Sequence, residues 1–522
     1  MSYAIRCKGK QRFILIGAAL CLAISHLISP SASAFIYRAP EGSLKDNCVV
    51  CRDGKFYLFT MYREEQQIAD VLDQWRNVWS ATSEDGVHWT DVGPVIKDAP
   101  FIIFAMRVWQ VGDKYMMNHG SFTGDQQDVL RLWESSDLRN WSYLGPDYDI
   151  RRPDGKRLDH MDVITETEDG KTVYYGYAAG GLLRSEDGVK WKWVGDFSFT
   201  DNLNVRLVQE PGGCQRIGDL YYLLVGGFYP GNLQYCVATF ISEKPTGPFR
   251  PDYPAFRLNG YSGREVTALW AGYCRTPNET LLSNYILDPS GNFWWHAPLK
   301  SAIVDKDGHL HMGYWKGNEK LKGEELPFDM SLYDPVYQGA GSDFSATSNR
   351  VDIKAPLSNS IRWITPGEAN GAIAFCEKPQ YLNERANNGF IMEGVMRVNA
   401  LDSICLPAAG IVFEQNEDKE AKALLFETWG QTEFGTLRWK DKLHFDSEDR
   451  VSVGCAQPAG IPSNDSCAFR ILFRKNIFEI YVNDLLVQTY SIPNFKGRIG
   501  FFSQDGDVSF SDIKVWKQSL GN

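Results

Sequence analysis

The sequence predicts an all-β protein, a five-bladed β-propeller followed by a β-sandwich, and three observations carry that prediction. A short polar turn recurs along the chain as SEDGVHW at 83–89, SSDLRNW at 135–141 and SEDGVKW at 185–191, with a looser SEKPTGPF at 242–249. Runs rich in aromatic and β-branched residues alternate with Asp-Gly and Gly-Asp turns from about residue 44 to 320, as in CVVCRDGKFYLFTMY and CQRIGDLYYLLVGG. No long stretch of this region carries apolar residues at helical spacing.

Each such run with its turn reads as a β-hairpin. Self-similarity at about fifty residues, with several strands per unit, is how a propeller shows itself in sequence. One blade cannot bury both of its faces, so the units have to pack side by side. Each full copy of the turn follows a strand (VWSAT, LRLWES, YGYAAGGLLR) and ends in a Trp that can pack between blades, while its Ser and Asp can bond the turn backbone. Counting hairpins places units near 43–95, 100–147, 158–198, 205–255 and 262–318, the fifth without the turn.

Length and composition set the frame. A chain of 522 residues is too long for one core, which favours two domains. The formal net charge of -11 disfavours nucleic acid and other polyanions as partners. Arg6, Lys8, Lys10 and Arg12 precede the apolar run FILIGAALCLAI, and Ala32-Ser33-Ala34 offers small residues for cleavage before Phe35. Residues 1–34 therefore read as a signal peptide, with a mature chain that has no membrane span and is secreted or periplasmic. The propeller is expected over 35–325 and a Gly/Asp/Ser/Pro-rich linker over 326–350. From 351 to 522, runs such as GFIMEGVMRVNA and AFRILFRKNIFEIYVNDLLVQTYSI alternate polar and apolar residues, as a concanavalin-like β-sandwich does.

Of the eleven cysteines, Cys455 and Cys467 flank a Pro/Gly/Ser/Asn-rich loop and are the best candidate for a disulfide. Cys48 and Cys51 form a C-x-x-C on a strand, where they read as buried small hydrophobes. His309 and His311 share one strand face with no obvious acidic partner, and neither a metal site nor a cofactor loop is expected.

Three acidic residues stand out because the repeat acts as a ruler. The first hairpin turns of units one, three and four contain Gly54, Gly170 and Gly218, and eight residues ahead of each lie Asp46, Asp162 and Glu210. In unit two the same offset from Gly112 falls on Phe104. First strands line the central channel, so carboxyl groups at one offset are expected to converge at its mouth. Like charges held close raise at least one pKa. One ionised and one protonated carboxyl is what glycoside hydrolysis needs. Asp159 competes with Asp162, which the offset favours. Arg107 and His160 could donate hydrogen bonds to sugar hydroxyls, and Asn47 and Trp270 could line the mouth; packed roles for all four remain open.

The turn is similar to the Asp-box of sialidases but one residue shorter between Asp and Trp, and five units do not make a six-bladed sialidase. NVWSATSEDGVHWTDVGPVI resembles the stretch joining the first two blades of glycoside hydrolase family 32, the invertases and fructanases of clan J, and is also similar to turns in the related family 43. HAPLKSAIVDKDGHLHMGYW resembles that family's fifth-blade ending, and FEIYVNDLLVQTYSI a strand pair of its C-terminal sandwich. The resemblance implies an oligo- or polysaccharide substrate, no cofactor, and a retaining mechanism with Asp46 as nucleophile, Asp162 as stabiliser and Glu210 as general acid/base. The motifs around these acids depart from the family: SLKDNCV stands for Trp-Met-Asn-Asp-Pro-Asn, DHMDV for Arg-Asp-Pro, and Pro-Gly-Gly after Glu210 for Cys-Pro. A furanoside or pentose other than fructose fits those departures. An inverting mechanism of the family 43 kind and a non-catalytic glycan-binding propeller are the competing expectations.

Overall fold

The computed structural model describes residues 35–520 apart from 65–74, 124–125, 156–157, 180, 201–205, 229–234, 261–267, 288–293, 357–370, 377–387, 401–406, 415–418, 429–430, 441–442, 453–463, 493–494 and 496. The expected signal peptide and Cys455 lie outside the described residues. Cys467, its expected partner, is buried.

Four blades are separate antiparallel sheets, with inner strands Ser43–Arg52, Phe104–Val111, Met161–Glu168 and Arg206–Ile217. These inner strands and a fifth, Ala268–Arg275, contact one another in a closed ring around the channel. The fifth unit is not a separate sheet, which corrects the expected count of five. Its strands up to Leu310–Tyr314 continue through the single pair Gly313↔Leu485 into a thirteen-stranded sheet shared with the C-terminal region. Without the polar turn that closes the other units, the outer strand of this one is left to pair across the domain boundary. A shared hydrophobic cluster, with Leu281, Leu310 and Met312 on one side and Leu472, Ile477 and Leu486 on the other, makes the joint apolar.

The C-terminal region packs a seven-stranded sheet against the distal part of the shared one, as expected for a sandwich, around Phe413, Phe434, Phe478 and Phe501. Residues 326–350 differ from the expected linker: Tyr333–Gln338 and Asp343–Thr347 are strands of these sheets. Their alternation of exposed and half-buried residues marks them as edge strands, which read as polar in sequence. Among the described residues no helix is long and apolar enough to cross a membrane.

The repeated turn behaves as its composition predicts. Ser83, Ser135 and Ser185 each accept from the backbone N–H three residues on, at 2.8–2.9 Å, and each donates to the Asp two residues on. Asp85, Asp137 and Asp187 each accept two further backbone N–H groups. The fourth turn residue has positive φ in all three: Gly86 and Gly188 take it freely, whereas Leu138 takes it at φ 62 against its Cβ. The closing tryptophans reach the preceding blade, Trp141 onto Phe59 and Trp191 onto Trp109, while Trp89 closes the ring against His296. Ser185→Ala would leave the buried Gly188 N–H unpaired and is expected to cost about 1–2 kcal/mol, read as a lower urea midpoint at unchanged slope.

Candidate active site

Around the channel, four of the five inner strands break their ladders near one level. Register shifts fall between Lys45 and Asn47, Phe104 and Arg107, Leu207 and Glu210, and Leu269 and Gly272. Non-glycine residues with positive φ mark three of them: Asp46 (φ 48), Ala105 (φ 28) and Trp270 (φ 64). A bulge leaves a residue out of the ladder and re-aims its side chain, and strain of this kind gathers at functional sites.

Below the bulges a buried layer crosses the channel. Arg107 donates from Nη1 to the Asn47 carbonyl at 2.8 Å, and its guanidinium lies 5.0 Å from the centre of the Trp270 ring. Trp270 meets the His160 ring edge-on at 4.9 Å, and His160 donates from Nε2 to the Pro211 carbonyl at 2.7 Å. Gly272 makes room for Arg107, because a Cβ there would stand 2.9 Å from Nη2. All four expected sugar contacts, Asn47, Arg107, His160 and Trp270, thus come together, but as a packed floor with exposures of 5% or less.

Three acids immediately precede members of this floor: Asp46 before Asn47, Asp159 before His160 and Glu210 before Pro211. Asp46 and Glu210 are half-buried and Asp159 is buried. Burial pushes the Asp46 carboxyl above its ordinary value of 3.8, and the charge of Asp159 pushes the same way. Lys45, a hydrogen bond from the Tyr285 hydroxyl and the charge of Arg107 pull it back. Tyr285 lies on the strand Thr280–Leu287, in a run, TLLSNYIL, that has nothing to distinguish it from ordinary core.

Asp162 does not join them. Its carboxylate takes Arg275 Nη2 at 2.7 Å, Arg275 Nη1 at 3.2 Å and the Cys214 N–H at 3.2 Å. Gly213, at φ 119, packs so closely that a Cβ would stand 2.4 Å from Asp162 Oδ2. Contacts between blades three and four run His160 to Pro211 and Asp162 to Cys214, separations of 51 and 52 residues. At that spacing the counterpart of Glu210 is Asp159. The hairpin turns from which the offset is counted do not end at one height, so an equal count is not an equal level.

Asp162 instead lines a cavity of about 510 Å³ further along the channel, with Cys48, Cys51, Tyr115, Glu166 and Arg275. Asp162 and Glu166 are four residues apart on one strand, roughly 13 Å by strand rise. Paired carboxyls in glycoside hydrolysis stand at most about 9.5 Å apart. Glu166 is moreover held by the Tyr221 hydroxyl at 2.9 Å. His309 and His311, expected to lack acidic partners, have them: Asp252 at 2.7 Å and Asp305 at 2.8 Å.

A ring of antiparallel blades followed by a C-terminal sandwich is the fold that the resemblance implies, and solved glycoside hydrolase family 32 β-fructofuranosidases match it along nearly the whole chain. A Bombyx mori β-fructofuranosidase of that family, as a variant in complex with sucrose, matches with a TM-score of 0.61 at 11% identity over 94% of this chain and 95% of that one. Sucrose-6-phosphate hydrolase from Lactobacillus gasseri matches at 0.60 with 13% identity over 96% of both chains. A Schwanniomyces occidentalis β-fructofuranosidase complexed with fructosyl-erythritol matches at 0.60 with 10% identity over 92% of this chain and 98% of that one. At such identities the likeness is one of fold. No protein-family model and no curated protein matches the sequence.

Proposed function

We propose that the protein is an exported glycoside hydrolase that cleaves furanoside or related glycosidic bonds, in the manner of a fructofuranosidase, by a retaining two-carboxylate mechanism. The observation that carries the reading is the level shared by Asp46, Asp159 and Glu210, one residue above a common floor on the side where the inner strands begin. Asp46 attacks the anomeric carbon while Glu210 gives its proton to the departing oxygen. The glycosyl-enzyme ester is then opened by water, which Glu210 deprotonates. Asp159 takes the part first given to Asp162, holding sugar hydroxyls as charge develops on the ring. The buried Trp270 Nε1 and Asn47 Oδ1, which have no hydrogen-bond partner among the described residues, add polar groups at the floor.

The test is release of reducing sugar from a panel of furanosides and polysaccharides by wild type and by Asp46→Asn. Wild type is expected to act on at least one furanoside and the variant on none; equal release by both would remove Asp46 from the reaction. The pH profile adds a second reading. Asp46 attacks only when ionised, and burial raises its pKa, so kcat/KM is expected to fall on the acid side through a pKa above 3.8.

A further inference from the structure

Asp46 belongs to the first blade, yet the hydrogen bonds that fix its neighbour lead out of the propeller. Asn47 donates from Nδ2 to the Asn284 carbonyl at 3.2 Å and to His296 Nδ1 at 3.0 Å. Burial, then the charge of Lys300, holds His296 down to about 3, so the ring is neutral and Nδ1 is free to accept. Asn284 in turn accepts at Oδ1 from Lys300 Nζ at 2.9 Å. The remaining protons of Lys300 go to the Pro298 carbonyl at 2.8 Å and to Glu479 Oε1 at 2.5 Å. Glu479 lies on Ile477–Val482 of the sandwich and accepts from the Tyr481 hydroxyl at 2.8 Å on its other oxygen.

Lys300 and Glu479 are both fully buried, and among the described residues Glu479 is the acid paired with Lys300. A buried ammonium with only neutral acceptors tends to lose its proton. The sandwich therefore supplies the carboxylate that opposes the lowering of Lys300 by burial and holds its Nζ within reach of Asn284. The two domains are joined without this pair, through Gly313↔Leu485 and the Tyr314 N–H to the Asp484 carbonyl at 2.7 Å. A polar chain running from Glu479 through Lys300 and Asn284 to Asn47 has its end beside the bulge that carries Asp46.

We infer that Glu479 and Lys300 are positioning residues for Asp46, so that the sandwich holds the nucleophile in place across the domain boundary. The inference rests on the reading of Asp46 as nucleophile given above.

A lone Glu479→Ala would strand a buried cation, so the test uses the double variant Lys300→Met/Glu479→Leu, which removes both charges and keeps the volume. It is expected to melt close to wild type, with kcat down roughly 10- to 100-fold and KM little changed, because small displacements of a reacting group act on rate. Asn284→Ala breaks the chain in its middle with the ion pair intact, and is expected to give the same kcat loss should the double variant fail to fold. The second readout is the titration of the Asp46 carboxyl carbon by NMR, assigned by its disappearance in Asp46→Asn. In both variants it is expected to move toward 3.8 as the bulge admits water. Folded variants with wild-type kcat and an unmoved titration would overturn the inference. Were wild type to hydrolyse no furanoside, the functional reading would fail, and the titration alone would decide the positioning.

Discussion

Glu210→Gln is expected to lower kcat by roughly 100- to 10,000-fold on natural sugar substrates while leaving the melting temperature near that of wild type. The amide keeps the shape of the side chain but has no proton to give the leaving oxygen and cannot take one from water. Glu210 is half-buried on a bulged segment, paired in register with Gly226, and glutamine matches it in size. Leaving-group dependence makes the prediction sharp. A glycoside of a strongly acidic phenol departs without protonation, so its first step should survive in Glu210→Gln, with the defect moved to hydrolysis of the ester intermediate and seen as a burst. A uniform loss across both kinds of substrate would mean that Glu210 only shapes the pocket. Asp46→Asn separates the roles, because it abolishes the burst with either leaving group.

What could be read from sequence was what is local. The Ser-x-Asp turns are closed by side chains two and three residues from the groups they bond, and they appear in the structure with the same bonds three times over. Unit boundaries follow from hairpin turns for the same reason. The fate of the fifth unit was not local: its outer strand meets Leu485, some 170 residues on, through one backbone pair that leaves no mark on composition. The same holds for Lys300, an ordinary lysine in sequence whose partner Glu479 lies 179 residues away. The strands at 333–338 and 343–347 were hidden by their polarity, since an edge strand needs no apolar alternation. Asp46 and Glu210, the proposed nucleophile and acid/base, could be singled out because both sit on blades whose levels agree with the count from the turn. The candidate sugar contacts were found as a group but for a different role, because polar residues near a channel mouth do not reveal whether they face solvent or each other.

The third acid is where counting and packing part, and a pair of substitutions tells them apart. Asp159→Asn is expected to cut turnover by about 100-fold or more, the scale of losing a group that meets developing charge. The fold should stay intact, since the buried carboxyl is replaced by a neutral isostere. Its pH profile should also shift: the charge of Asp159 raises the Asp46 pKa, so the acid limb of the residual activity is expected to move down toward 3.8. Asp162→Asn has the opposite pattern. It weakens a two-point ion pair with Arg275, whose side chain is one-third exposed and whose guanidinium keeps Gln215 Oε1 at 2.6 Å and the Cys214 carbonyl at 2.8 Å. Stability is expected to drop by about 1–3 kcal/mol with kcat nearly unchanged. The blade-three to blade-four spacing of 51–52 residues sets Asp159 opposite Glu210 and Asp162 opposite Cys214. If Asp162→Asn were the inactive variant and Asp159→Asn the merely less stable one, the catalytic level would lie nearer the 510 Å³ cavity, and the roles of Asp46 and Glu210 would have to be reassigned with it.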